Sequence, residues 1–143
     1  MELTGNNRVV IAFGANIGQR EANIASAIQL LNERCGKVAK VSPFYESEPQ
    51  GFTSSHTFLN GCLLLLTNLT PNDLLEALQL IEAELGRIKS NSGYQDRSID
   101  LDIIFYENLF INRPHLQVPH PRYHERQFVL EPLKALELDF YPL

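Results

Sequence analysis

The stretch "DRSIDLDIIFY", residues 96–106, decides how the rest of the chain is read. Its apolar residues alternate as they do on a β-strand, where side chains two apart share a face. Ile99, Leu101, Ile103 and Phe105 are expected to line one face, with Asp100 and Asp102 together on the other. Aspartate is strongly depleted from strands. Two like charges side by side repel unless a cation lies between them or one is protonated. Mg²⁺ suits such a pair, because it takes oxygen ligands and is usually held by one or two carboxylates with waters and substrate phosphates. A solvated outer strand face is the competing reading.

The elements before this strand supply its partners. "RVVIAFG" (8–14) reads as a buried first strand ended by Gly14. In "QREANIASAIQLLNERCG" (19–36), Ile24, Ile28, Leu31 and Cys35 recur at helical spacing, and Gly36 is placed to stop the helix. "KVAKVSPFYESE" (37–48) alternates as a strand that Pro43 bends or confines to an edge. "TFLNGCLLLLTNL" (57–69) is a third, apolar strand. In "TPNDLLEALQLIEAELGR" (70–87), Thr70 can cap a helix, Pro71 suits its first position, Asp73 complements its positive end and Gly86 can end it. Leu74, Leu78, Ile81 and Leu85 form its buried stripe.

A polar loop leads to the aspartate strand. A Pro-punctuated stretch and a final short helix in "FVLEPLKALE" (128–137), despite Pro132, complete the chain. The order βαββαβ is that of an α+β, ferredoxin-like sandwich. It predicts one domain over 1–143, with a mainly antiparallel four-stranded sheet, both helices on one face and a C-terminal extension. The opposite face is left for something else.

The composition agrees with a globular protein: 143 residues, 44% hydrophobic and 20% charged. The longest apolar run, "CLLLLTNL", is strand-sized, so no membrane span is expected, and "MELTGNNR" does not look like an export signal. Cys35 and Cys62 both fall within apolar patterns and read as buried free thiols of a cytoplasmic protein. A net charge of −5 argues against general nucleic-acid binding. Yet Arg87, Lys89, Arg97, Arg113, Arg122 and Arg126 gather around the carboxylate pair in sequence, as an anion-handling protein would require.

Arg87 and Arg97 flank the 88–96 loop, and their planar guanidinium forks suit phosphate oxygens. A loop between two arginines beside a metal site would serve as a lid over a polyphosphate; two surface arginines at element ends is the alternative. His115, His120 and His124 have spacings that match no zinc motif, which leaves His120 as a donor to phosphate or water. "GANIG" (14–18) lacks the Lys-Ser/Thr of a P-loop. Asn60 interrupts the third strand; its amide can read a heterocycle edge or satisfy a strand end.

Together the segments "FGANIG", "FYESEPQG", "TFLNG", "QLIEAELGR", "RSIDLDIIFY" and "VPHPRYHERQFVLEPL" resemble the 6-hydroxymethyl-7,8-dihydropterin pyrophosphokinases of folate biosynthesis along nearly the whole chain. The resemblance implies transfer of a diphosphoryl group from MgATP to the pterin hydroxymethyl oxygen, releasing AMP. It implies that Asp100 and Asp102 bind two Mg²⁺ ions, and that Arg87 and Arg97 act with them in catalysis. It assigns Gln79, Glu82, Arg87, Arg97, His120 and Arg126 to the nucleotide, and Ser47, Gln50, Asn60, Tyr94 and Phe128 to the pterin. Tyr94 stands where the family often has Trp, and "GYQDR" replaces the common aromatic-Gly-Pro-Arg. The expected partners are ATP and a reduced pterin, with no nucleic acid and no membrane, and the expected state is a monomer. A non-catalytic ferredoxin-like binding module and a scaffold or interface protein are the alternatives. A module of the first kind would bind its ligand without Mg²⁺, and in the second the aspartates would be a solvated surface.

Overall fold

The computed structural model describes residues 7–48, 57–86 and 98–138. The main sheet contains β1 (Asn7–Ala15), β2 (Gly36–Val41), β3 (Tyr45–Ser47), β4 (Phe58–Thr67) and β5 (Asp100–Tyr106). Its order is β2-β4-β1-β5, with β3 also paired to β4, and every pairing is antiparallel. Helices α1 (Arg20–Arg34) and α2 (Pro71–Glu84) follow β1 and β4. β2 and β3 are two pieces of one edge strand, so the expected four-stranded βαββαβ arrangement is present. The break falls where Pro43 cannot donate to a ladder. There Ser42 substitutes a side chain for the strand: its N–H donates to Cys62 O at 2.9 Å, and its Oγ accepts from Cys62 N–H at 2.9 Å.

Both helices form as their sequence punctuation predicts. Thr70 Oγ1 accepts from Asp73 N–H at 3.2 Å at the start of α2, and Gly86 follows its end with φ +91°. Ile24, Ala27 and Leu31 of α1 and Leu74, Leu78 and Ile81 of α2 are buried against one sheet face. That face carries the odd-numbered residues of β1 and β4 (Val9, Ile11 and Phe13; Leu63 and Leu65) and Leu101 and Ile103 of β5. Ion pairs fasten the rim. Arg20 donates to Glu46 and to Thr57, and Arg34 meets Glu84 between the two helices.

One expectation fails on β5. Phe105 does not share the face of Leu101 and Ile103. Register shifts between Val10 and Ile11, so that Ile11 faces Ile103 while Val10 faces Phe105, and Ile104 is the extra, bulged residue. The bulge turns Phe105 to the opposite face and brings Tyr106 to the helix side, where its hydroxyl donates to Leu69 O. Phe105 then packs in a second cluster with Val10, Cys62, Leu64 and Ile104 beneath Val129 and Leu136. Val129 belongs to α3 (Gln127–Ala135), the expected final helix, which accommodates Pro132. The face opposite α1 and α2 is therefore half covered.

Beyond β5, the sequence reading sees only a Pro-punctuated stretch. The chain there forms a hairpin of β6 (Ile111–Arg113) and β7 (Leu116–Val118), then a 3₁₀ turn at Tyr123–Glu125. Cys35 and Cys62 are buried free thiols, as expected. No helix among the described residues is long and apolar enough to cross a membrane.

Candidate active site

The uncovered half of the sheet face is built from cross-strand rows. Tyr45, Asn60, Gly14 and Asp100 are successive partners across β3, β4, β1 and β5. Cys62, Ala12 and Asp102 form the next row, whose Cys62 end already runs under Val129. Small residues in the middle leave a shallow floor, with the aspartates along one side and Asn60 on the other. Gly14 keeps the floor low here: a Cβ on it would lie 3.0 Å from Asn60 Oδ1, close enough that the amide would have to shift. Asp100 and Asp102 are half-buried and share this face, as the alternation predicts. Together they are a set of hard oxygen donors, which suits Mg²⁺.

Asn60 is buried, and its amide group donates to Ser47 Oγ at 2.8 Å and Tyr45 O at 3.0 Å. Its donors are thus spent on fixing β3, and Ser47 in particular. Its Oδ1, beside Gly14, is the group left to accept from a ligand.

On the outer side of β5 lies a cavity of about 330 Å³, lined by Asp102, Leu101 and Ile103, by Leu75 of α2, by Pro114–Gln117 of the hairpin, and by His120 and Pro121. This is within the size range of small-molecule sites. The hairpin is its outer wall, held to the start of α2 by His115 Nε2 and Asn72 Oδ1 at 3.0 Å. Sequence reasoning missed this wall because two three-residue strands are too short to show a period. Gln79 lies one helical turn beyond Leu75 and is exposed. Glu82, the next residue of that stripe, is only 5% exposed and accepts from Leu101 N–H at 2.8 Å.

His120 is anchored from both sides. Its N–H donates to Ile104 O at 2.9 Å, and its Nδ1 accepts from Arg122 N–H at 3.2 Å. The acceptor role of Nδ1 leaves the proton on Nε2 of the neutral ring. Burial lowers the pKa of His120 below the ordinary imidazole value; Arg126 and Arg122 push the same way, and Asp100 opposes them. The ring therefore lies within the fields of both Asp100 and Arg126.

Arg126 Nε is buried and, among the described residues, has no hydrogen-bond partner, while its Cζ lies 5.7 Å from the Phe128 ring centroid. An orphaned guanidinium donor is a feature an anionic ligand would satisfy. Arg122 pairs instead with Glu125 at 3.3 Å, and His124 packs edge-on against Tyr123. No group of three or more His, Cys, Asp or Glu side chains that could hold a metal ion occurs among the described residues. Arg87, Arg97, Gln50 and Tyr94 lie outside the described residues.

The profile of the family described as 7,8-dihydro-6-hydroxymethylpterin-pyrophosphokinase (HPPK) matches residues 10–138. The 2-amino-4-hydroxy-6-hydroxymethyldihydropteridine pyrophosphokinase of Porphyromonas gingivalis (strain ATCC 33277) is 43% identical over 137 residues, covering 94% of this chain and 93% of its own. The enzyme of the same name from Bacillus subtilis is 43% identical over 132 residues, covering 92% of this chain and 78% of its own. Among solved structures, Plasmodium falciparum HPPK-DHPS with pteroate matches with a TM-score of 0.76 at 13% identity. That match is a likeness of fold, covering 99% of this chain and 42% of the larger one. Aspartate strand, half-covered sheet and sequence identity agree, and the chain belongs to the 7,8-dihydro-6-hydroxymethylpterin-pyrophosphokinase family.

Proposed function

We propose that this chain transfers the diphosphoryl group of MgATP to the hydroxymethyl oxygen of 6-hydroxymethyl-7,8-dihydropterin, giving AMP and the pterin diphosphate. The observation that carries the reading is the place of the aspartate pair. Asp102 lines the outer cavity, while Asp100 ends the row that runs over Gly14 to Asn60. The pair thus stands between a recess for one substrate and a flat floor for the other, where a group passing between them must cross.

Asp100 and Asp102 would hold Mg²⁺, two ions in this reading. Bound there, Mg²⁺ supplies charge that neutralises the polyphosphate and the charge developing on transfer. His120 approaches the nucleotide from the cavity, donating through Nε2–H, and Gln79 is assigned to the nucleotide as well. Arg126 offers its unpaired Nε–H to phosphate oxygen. Arg87 and Arg97 are assigned to the triphosphate as well. On the other side Ser47, Gln50 and Asn60 read the polar edge of the pterin, and Phe128 and Tyr94 pack on its flat faces. Catalysis of this kind is mainly positioning and electrostatics, so a dedicated base is not required. We place the enzyme in the cytoplasm as a monomer; the two buried free thiols suit a reducing compartment.

The test is nucleotide product analysis with ATP and Mg²⁺, with and without the pterin. AMP formed only with pterin, and no ADP, is the expected result. ADP would mean transfer of a single phosphoryl group. No turnover by folded protein would favour a binding module.

A further inference from the structure

Glu82 is the one Asp, Glu, Lys or Arg that is buried among the described residues. It sits on α2 where the neighbouring stripe is Leu78, Ile81 and Leu85, and an apolar residue there would be buried at far lower cost. What it meets is the outer edge of β5. Among the described residues this strand pairs with β1 on one side only, so alternate backbone groups face away from the sheet. The N–H of Leu101 is one of these, and Glu82 Oε2 accepts from it at 2.8 Å. Because the N–H and C=O of a residue in an antiparallel ladder point the same way, those of Asp100 and Asp102 turn inward toward Gly14 and Ala12. The same outer edge is tied again at Ile104, whose C=O accepts from His120 N–H at 2.9 Å. Asp102 lies between the two ties, and Leu101 lies between the two aspartates.

We infer that Glu82 is a positioning residue for the aspartate pair: its carboxylate holds the Leu101 N–H and so fixes the direction of the two side chains that flank it. The inference rests on the proposed metal-binding role of that pair. It gives Glu82 a task carried through the strand rather than by contact with the nucleotide. Groups that orient metal ligands from behind commonly matter as much as this arrangement suggests.

The experiment measures binding of α,β-methylene ATP by calorimetry across a range of Mg²⁺ concentrations, using four variants of the full chain. Glu82→Met keeps length and helix preference but removes the acceptor. It is expected to raise the Mg²⁺ concentration for half-maximal binding roughly 10–100-fold. Glu82→Gln keeps an acceptor oxygen and is expected to restore most of that loss. Leu78→Ala lowers Tm without moving the Mg²⁺ requirement, which separates general destabilisation from positioning. Asp100→Ala tests the metal reading itself. If Asp100→Ala leaves Mg²⁺ dependence intact, the metal site is lost and the inference with it. If Asp100→Ala removes it while folded Glu82→Met behaves as the parent, only the positioning role is overturned. Equal damage from Gln and Met, or weakening that persists unchanged at saturating Mg²⁺, would assign Glu82 to charge or direct contact and overturn it too. In the unmodified chain the Leu101 amide should exchange slowly with solvent deuterium; exchange as fast as an exposed amide would contradict the tie.

Discussion

Two halves of one sheet face carry opposite designs. Near the middle of the strands, Leu64, Val10 and Phe105 lie in adjacent strands and are sealed under Val129 and Leu136. Four residues along β1 and β4, at roughly 13 Å, the corresponding row is Asn60, Gly14 and Asp100, small and polar where the first row is apolar. The same strands run through both, and the β1–β4 ladder is unbroken between them. What changes is side-chain size and polarity, and the change falls at the Ile104 bulge on β5. The covered half supplies apolar burial, and in the proposed function the bare half supplies the chemistry.

Substitutions in each half should separate these properties. Asp100→Ala should have the largest effect, lowering pterin-dependent AMP formation by at least about 10²–10³-fold while the melting temperature stays close to that of the parent. Leu64→Ala should do the reverse, costing about 2–5 kcal/mol of stability in urea unfolding with kcat per folded molecule unchanged. Gly14→Ala adds a methyl that must displace Asn60 Oδ1, a crowding cost of about 1–3 kcal/mol. It should appear as a raised KM for pterin with the KM for ATP maintained, and equal changes in both constants would show that the two substrates do not divide at the aspartates. The smallest effect concerns pH. Burial depresses the folded pKa of His120 below 6.5, so its contribution to stability is present above that value and lost as pH falls through the folded pKa. His120→Asn should flatten that part of the acid limb of a stability–pH curve, and an unaltered limb would show that the ring is not held neutral by its surroundings.

The sequence shows the covered scaffold and the aspartates more clearly than the walls around them. α2 is legible because Thr70, Pro71, Asp73 and Gly86 act within a few residues of where they stand. Asp100 and Asp102 are legible because strand alternation puts them on one face whatever the partner strand. Phe105 continues that alternation in sequence, but pairing with β1 introduces the bulge, and no local signal announces it. Glu82 reads as a polar residue beside a helical stripe, since the N–H that it satisfies comes from a strand that begins eighteen positions later. His120 was expected to bond phosphate or water, yet its tautomer depends on the Arg122 N–H two residues on. The donors of Asn60 look available in the sequence and are used internally in the fold.

The most direct measurement follows a β-³²P label in ATP supplied with Mg²⁺ and 6-hydroxymethyl-7,8-dihydropterin. Diphosphoryl transfer across the aspartate pair predicts that the label leaves the nucleotide and appears in the pterin product, with AMP unlabelled. Label retained in ADP, with a pterin carrying one unlabelled phosphoryl group, would contradict the account.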